Sequence, residues 1–275
     1  MNNESFYGNI RPNAAPDILA IHAEELATLG YTILENVIEA NRLQDWRDRI
    51  DHVYARQEEE FGGRAALSAI GEQDLARAPL LHDSTFLELA TQPRVLDLMR
   101  RILGDYFILN LQNAIINKPE ERHHQTAWHR DLPYQNWTSS RPLALGALFA
   151  IDPFNPETGG TIVLPHSHRV ESMPSAHYFE NHAVQVSAAP GSVLIFDAMA
   201  FHRAGVNRSA QTRRGVNHLY TIPIMKQQYD FPAALGADFQ ATADVRRLLG
   251  FDSAVPQSVL DWRRIRAKRT SSNAK

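Results

Sequence analysis

The 275-residue chain contains no cysteine, which excludes disulfide bonds, cysteine-ligated zinc and thiol nucleophiles. It also has no apolar run near the length of about 20 residues that a membrane-spanning helix requires. Residues 1–8 lack the basic segment and following apolar run of a secretory signal. From these absences we expect a cytoplasmic protein with no membrane partner.

A strong charge of one sign is also missing. The 28 Lys and Arg residues nearly balance the 31 Asp and Glu residues, which gives a net charge of −3. Such a chain has no general attraction to a polyanion, so we expect no nucleic-acid partner. Hydrophobic residues make up 44% of the chain, which is enough for a sizeable core. We therefore expect one domain over residues 1–275, as a monomer or homodimer.

The pattern of apolar residues divides the chain into three parts. Residues 1–105 are mainly of helical spacing, residues 106–225 are rich in β formers between turn residues, and residues 226–275 return to helical spacing. Strands are expected at residues 106–117, 143–151, 161–164, 183–186, 192–196 and 216–224. This order predicts an antiparallel β core with helices before and after it.

The first part predicts a helix that begins at Asp17, a good N-cap, and ends at Gly30, followed by a short strand at 31–34. Two further segments have apolar residues at helical spacing. They are Leu43, Trp46, Ile50 and Val53, and then Phe86, Leu87, Val95, Leu98 and Ile102, with Pro93 as an interruption. Between them, residues 62–82 have weak periodicity. We predict a long loop there with one helical turn, in the kind of position where a lid over a binding site is found.

His129 and Asp131 form the only His-x-Asp triplet among the twelve histidines. On a strand, residues two apart share a face, so both could bind one metal ion while Arg130 faces away. A third ligand would come from another strand, and His202 follows the apolar run at 191–196. Two histidines and a carboxylate occupy one face of an octahedron and leave three positions for a cosubstrate and dioxygen. The pattern alone leaves open a structural histidine with a chance neighbour.

His166 and His168 also lie two residues apart. However, Pro165 before them and Ser167 between them favour a surface turn over a pair of metal ligands.

Arg213 lies eleven residues after His202, where a strand is expected to begin. On that strand it would share a face with Gly215 and Asn217. An inward-facing arginine beside a small residue can bind a carboxylate through two parallel hydrogen bonds, which a lysine cannot do. The alternative is a pair of surface charges, Arg213 and Arg214.

Five stretches of the sequence, in their order and spacing, resemble the phytanoyl-CoA dioxygenase family of 2-oxoglutarate-dependent oxygenases. They are residues 128–134, 156–168, 190–197, 201–209 and 212–214. The resemblance covers roughly residues 106–225. It implies a double-stranded β-helix, or jelly roll, as the core of a mainly β fold, with N-terminal and flanking helices.

The resemblance also implies roles for individual residues. His129, Asp131 and His202 would bind iron(II), and Arg213 would bind the far carboxylate of 2-oxoglutarate, with dioxygen as the other cosubstrate. Asp131 occupies a position where related halogenases need a small residue, so halogenation is disfavoured.

Two more residues match positions that contact 2-oxoglutarate in relatives, namely Gln112 and Thr126. The chain departs from the family at Ala204, where many relatives have a small polar residue. Because Ala204 cannot donate a hydrogen bond to 2-oxoglutarate from its side chain, more of that binding would fall to Gln112 and Thr126. Tyr134, Trp137 and Arg141 follow the ligand pair and are candidates for substrate contacts, although they could equally be ordinary surface and core positions.

The implied activity is hydroxylation of a C–H bond in a small, polar metabolite, with release of succinate and carbon dioxide. Desaturation, epimerisation and cyclisation stay open, because the metal ligands do not decide among them. A non-oxidative, metal-dependent isomerase and a non-catalytic binding protein on the same scaffold are the competing interpretations.

Overall fold

The structure, a computed structural model, describes residues 15–119, 124–132 and 134–272. Residues 1–8, on which the expected lack of a signal peptide rests, lie outside this part. The helices are α1 (Ile18–Leu29), α2 (Leu43–Glu60), α3 (Arg64–Ala69), α4 (Leu87–Ala90), α5 (Pro93–Leu103), α6 (Ala176–His182), α7 (Phe231–Leu235), α8 (Ala243–Leu248) and α9 (Val259–Ser272). Within the described residues, none of them has the length and apolar character needed to cross a membrane.

The strands form two antiparallel sheets, which makes this a mixed α/β fold. The strands are β1 (Tyr31–Leu34), β2 (Leu75–Arg77), β3 (Ile108–Asn117), β4 (Ala144–Ala150), β5 (Ile162–Val163), β6 (Val184–Gln185), β7 (Val193–Asp197), β8 (His202–Arg203) and β9 (Arg213–Thr221). The large sheet has the order β1-β7-β4-β9-β3-β2, and the small sheet has the order β6-β5-β8. The predicted antiparallel β segment is therefore confirmed.

The two faces of the large sheet have different partners. On β9, Val216 and Tyr220 join the same core cluster as Trp46 of α2 and Leu98 of α5. Residues of the opposite face, such as Phe196 on β7, cluster instead with residues of the small sheet. Because side chains alternate along a strand, each strand of the large sheet contributes to the helical layer and to the space between the sheets.

The predicted N-terminal helices are confirmed. The Asp17 side chain accepts a hydrogen bond from the Ala20 amide at the start of α1, and Gly30 ends the helix with φ of 85°. A Cβ on Gly30 would lie 2.5 Å from the His168 ring, so both the conformation and the space require glycine. In α2, all four residues at helical spacing are buried, and Pro93 begins α5.

The predicted long loop at 62–82 is wrong. This segment contains α3 and the edge strand β2, in which Leu75 pairs with Ile115 of β3. The Tyr54 hydroxyl also accepts a hydrogen bond from the Asp74 amide. A three-residue edge strand is stabilised by its partner rather than by its own sequence, so periodicity does not reveal it.

The turn at 166–168 is present, but His168 is buried rather than on the surface. Its Nε2 lies 3.3 Å from the Ala27 carbonyl, and His166 Nδ1 lies 2.7 Å from the Thr28 carbonyl. Both carbonyls belong to the last turn of α1, where the helix cannot satisfy them itself. The two histidines therefore connect this turn to a helix end.

Asp152 joins α2 to the large sheet. Its carboxylate accepts a hydrogen bond of 2.6 Å from Arg47 Nε and one of 2.8 Å from the Arg214 amide. The Arg214 side chain also binds Asp51 of α2, at 2.7 and 2.8 Å. Asp152 is buried, so its ion pairs are poorly screened by solvent.

We predict that Asp152→Ala destabilises the protein by about 3 kcal/mol, since Arg47 loses its carboxylate partner and Arg214 loses one of its two. Urea denaturation should report this loss in the free energy of unfolding. The matched control is Glu60→Ala, which breaks the exposed pair between Arg56 and Glu60 and should cost less than about 1 kcal/mol. Equal losses in the two variants would contradict a structural role for Asp152.

Candidate metal centre

His129, Asp131 and His202 converge in the structure. One ligating atom from each lies within 4.8 Å of the others, and this is the one such group of His, Cys, Asp or Glu among the described residues. Asp131 Oδ1 lies 3.9 Å from His129 Nε2 and 3.4 Å from His202 Nε2. The structure therefore brings together the three residues that the sequence selects.

The backbone, rather than the side chains, brings the two parts of this group together. The His129 amide donates to the His202 carbonyl and the His202 amide donates to the His129 carbonyl, both at 3.0 Å. The Asp131 amide donates to the Ala198 carbonyl, also at 3.0 Å. The sequence interpretation placed His129 on a strand, whereas the structure has an isolated bridge there. The backbone at this bridge is extended, so the side chains of His129 and Asp131 still lie on the same side of it.

Each histidine has its other ring nitrogen next to a carbonyl. His129 Nδ1 lies 2.9 Å from the Ala127 oxygen, and His202 Nδ1 lies 3.0 Å from the Ala200 oxygen. A carbonyl only accepts, so Nδ1 carries the hydrogen and Nε2 carries the lone pair that a metal ion binds. Both rings are thus held in the tautomer that a metal ligand needs.

The electrostatics of the group call for a positive charge. Burial opposes ionisation of Asp131, but His202 and then His129 hold its pKa below the usual value. Burial likewise opposes protonation of His202, yet Asp131 keeps its pKa raised. Asp131 Oδ2 is buried without a hydrogen-bond partner. A divalent cation would satisfy this carboxylate, and two histidines with one carboxylate are a known ligand set for non-haem iron(II).

Arg213 lines the same cavity as the three residues above. It is only 2% exposed, its guanidinium carbon lies 4.6 Å from the centre of the Phe154 ring, and its Nε has no hydrogen-bond acceptor. Burial lowers its pKa to about 10, so it remains charged at neutral pH. The carboxylate of Asp152 acts on it at a distance but binds Arg47 and Arg214. Arg213 is therefore a buried cation suited to an anionic ligand.

Gln112 lies away from this cavity, contrary to the expectation that it contacts 2-oxoglutarate. Its Oε1 accepts from the Leu80 amide, and its Nε2 donates to the Phe86 carbonyl and lies 2.7 Å from His218 Nε2. The physical reason is strand parity: Ile115 lines the cavity, so Gln112, three residues earlier, faces the helical layer.

The other expected contact residues also lie apart from the cavity lining. Gln125, rather than Thr126, is among the residues that line it. Tyr134 is 98% exposed and Trp137 is about half exposed. Arg141 lines a different cavity, which contains Asp197 and residues of α1 and α5 on the helical side of the large sheet.

Four polar residues line the metal cavity that the sequence interpretation did not assign to it: Gln125, Thr161, Arg203 and Asn217. Asn217 Oδ1 is buried without a hydrogen-bond partner. The sequence did contain a sign of this, because side chains alternate along β9 and Asn217 therefore lies on the same face as Arg213. Ala204, the departure from the family pattern, lines the cavity too.

Comparison with known proteins places these residues in a family. The family model described as "Phytanoyl-CoA dioxygenase (PhyH)" matches residues 27–215. The uncharacterized proteins Rv1501 of Mycobacterium tuberculosis and Mb1539 of Mycobacterium bovis are each 34% identical over 241 residues, which are 84% of this chain and 86% of theirs. The dioxygenase cdmD of Talaromyces verruculosus is 27% identical over 118 residues, which are 41% of this chain and 38% of that protein.

Two solved structures share the fold. The epimerase SnoN, solved in complex with Fe3+, alpha ketoglutarate and nogalamycin RO, has a TM-score of 0.61 at 19% identity, over 81% of this chain and 93% of that chain. The carbocyclase SnoK from nogalamycin biosynthesis has a TM-score of 0.59 at 18% identity, over 78% and 87%. At these identities the likeness concerns the fold alone.

We predict that His202→Ala weakens Mn(II) binding by at least about 100-fold, more than the loss of a residue behind a metal ligand typically costs. The backbone bridge to His129 does not need the imidazole, so the fold should persist. Calorimetric titration of the purified protein with Mn(II) measures the change. His52→Ala, at an exposed position on α2, serves as the control. Equal affinity in both variants would show that the metal binds elsewhere.

Proposed function

The chain belongs to the phytanoyl-CoA dioxygenase family, and from this premise we propose that it hydroxylates a C–H bond of a small, polar molecule. Iron(II), 2-oxoglutarate and dioxygen are the cofactor and cosubstrates of this family of oxygenases, which confirms the expectation from the sequence. The observation that carries the proposal is Arg213, a buried cation whose Nε lacks an acceptor in the cavity lined by His129, Asp131 and His202.

In this proposal, each of the three metal-binding residues has one task. His129 and His202 present Nε2 because carbonyl groups hold their Nδ1 hydrogens, and Asp131 presents Oδ1. When bound, iron(II) together with 2-oxoglutarate supplies the oxidising chemistry. Nothing in the arrangement requires these side chains to move, since all three already face a common point.

Arg213 would bind the far carboxylate of 2-oxoglutarate. Its planar guanidinium matches a carboxylate bidentately, and the Phe154 ring holds it from one side. Ile115, Leu148 and Phe196 line the same cavity and would keep water from the reacting groups. The polar residues Gln125, Thr161 and Asn217 favour a substrate with hydrogen-bonding groups over a bare alkyl chain.

We further infer that the chain is a single oxygenase domain over residues 1–275, with a jelly-roll core. The large and small antiparallel sheets, with His202 on β8 of the small sheet and His129 and Asp131 on the segment bridged to it, support this architecture. The helical layer on the outer face of the large sheet corresponds to the helices that the family resemblance implies.

Epimerisation or ring formation is the second candidate activity. It is favoured by the activities of the two fold neighbours, an epimerase and a carbocyclase that depend on alpha ketoglutarate. A non-oxidative isomerase is less well supported, because it gives Arg213 no carboxylate to bind.

We predict that Arg213→Gln weakens 2-oxoglutarate binding to the Mn(II)-loaded protein by about 100-fold, since a buried charged pair is lost, and does not weaken Mn(II) binding. The matched ligand is 2-oxopentanoate, which has the same carbon chain but no far carboxylate. The wild type should prefer 2-oxoglutarate strongly, and the variant should lose that preference. Arg208→Gln, at an exposed position nearby, is the control. A variant that keeps the preference would contradict the assigned role.

Reaction products separate the candidate activities. In a metabolite screen under labelled dioxygen, with succinate release as the signal, we expect a product that has gained one labelled oxygen atom. A product of unchanged mass would indicate epimerisation, and a loss of two hydrogens would indicate desaturation or ring formation. Conversion without dioxygen or 2-oxoglutarate would contradict an oxygenase altogether.

A further inference from the structure

Arg130 lies between two metal-binding residues in sequence, but its side chain is bound to the backbone of two turns. Its Nε donates to the Met199 carbonyl at 2.9 Å, in the turn that leads to His202. Its Nη1 donates to the Glu171 carbonyl at 2.9 Å, and its Nη2 donates to the Val170 carbonyl. One guanidinium thus connects residues 129–131 to both turns.

The same guanidinium is stacked on Phe201, the residue before His202. The Arg130 guanidinium carbon lies 3.9 Å from the centre of the Phe201 ring. Phe201 is itself held on both sides, since its amide donates to Ser167 Oγ at 2.8 Å and its carbonyl accepts from the Leu164 amide at 2.8 Å. The position of Phe201 therefore depends on the turn that Arg130 also binds.

We propose that Arg130 is a positioning residue that fixes the distance between His202 and the pair His129–Asp131. The proposal rests on the proposed function of these three residues as metal ligands. The backbone bridge joins His129 to His202, and two more backbone hydrogen bonds run from the Asp131 amide to the Ala198 carbonyl and from the Ala204 amide to the Gln125 carbonyl. These bonds fix only the backbone of the two segments. Arg130 adds side-chain contacts to the Met199 carbonyl and the Phe201 ring, on the approach to His202, which hold the two segments at their separation.

The chemistry requires arginine. A metal site loses affinity when its ligands are held loosely, even if every ligand remains. Only a planar group with several donors can bind carbonyls in two turns while it stacks on a ring. A lysine at position 130 would keep the charge, but its single ammonium group cannot make both sets of contacts.

Arg246 offers a matched control within the same chain. Its guanidinium carbon also lies 3.9 Å from a phenylalanine ring centre, that of Phe251, and it also donates to backbone carbonyls, those of Phe239 and Ala237. It belongs to α8, in the segment after the β core, and none of its contacts involves the metal-binding residues. Loss of Arg246 therefore measures what such an arginine contributes to stability alone.

The test compares Arg130→Met, Arg130→Lys and Arg246→Met in the full chain. Three quantities are measured: the free energy of unfolding without metal, the Mn(II) dissociation constant, and the visible charge-transfer band of iron(II) with 2-oxoglutarate without oxygen. We expect Arg130→Met to bind Mn(II) about 10- to 100-fold more weakly and to shift or broaden the band, with a smaller loss in Arg130→Lys. Arg246→Met should stay within about twofold of wild-type affinity at a comparable loss of stability.

Each outcome decides the matter. Wild-type Mn(II) affinity in Arg130→Met, or an equal loss in Arg246→Met, overturns the positioning role while the metal site itself stands. If Arg130→Met does not fold, Arg130→Lys is judged alone: reduced affinity supports the role and unchanged affinity overturns it. If the wild type binds no Mn(II) or if His202→Ala binds it equally well, then the proposed function fails instead.

Discussion

The pair of backbone hydrogen bonds between His129 and His202 is the constraint on which the rest of the site depends. These residues are 73 positions apart in the sequence, and the bridge sets their rings 4.4 Å apart between centres. Because the hydrogen bonds use backbone atoms, the imidazoles keep both nitrogens for other partners. Each ring then uses Nδ1 for a carbonyl two residues earlier, which directs Nε2 toward Asp131.

The alternation of side chains along β9 places Arg213 in the cavity of the three candidate metal ligands. Arg213 and Arg214 are adjacent and chemically identical, yet they have opposite surroundings. Arg214 faces α2 and binds Asp51 and Asp152, whereas Arg213 faces the metal cavity. A shift of one residue in the pairing of β9 would exchange the two. The helical layer therefore matters to the site, because Asp51 and Asp152 hold Arg214 on its own side of the sheet.

The sequence predicts those features that depend on short-range patterns. The cap at Asp17, the stop at Gly30 and the buried face of α2 follow from helix geometry, and all three are present. His129 and Asp131 were selected for a similar reason: residues two apart turn the same way on any extended backbone. The bridge at His129 is extended enough for this, although it is not part of a longer strand.

Several features that depend on distant partners were not predicted. β2 exists because β3 offers it an edge, and His168 is buried because the end of α1 covers it. Gln112 was placed in the site by its match to a family position, but strand parity relative to Ile115 decides its direction. Parity cannot be read from the sequence until one residue of the strand is known to face the cavity.

The charges of the cavity explain why a divalent metal and a dicarboxylate suit the site together. Asp131 contributes one negative charge to the cavity lining, and Arg203 and Arg213 contribute one positive charge each, so with neutral histidines the lining has a net charge of +1. A divalent cation alone would raise the net charge to +3 in a poorly solvated space, which is costly. A dicarboxylate alone would change the net charge to −1. Bound together, the two cancel, so each should raise the affinity of the other. In the proposed role of Arg213, cosubstrate binding and metal binding would thus be coupled through charge as well as through geometry.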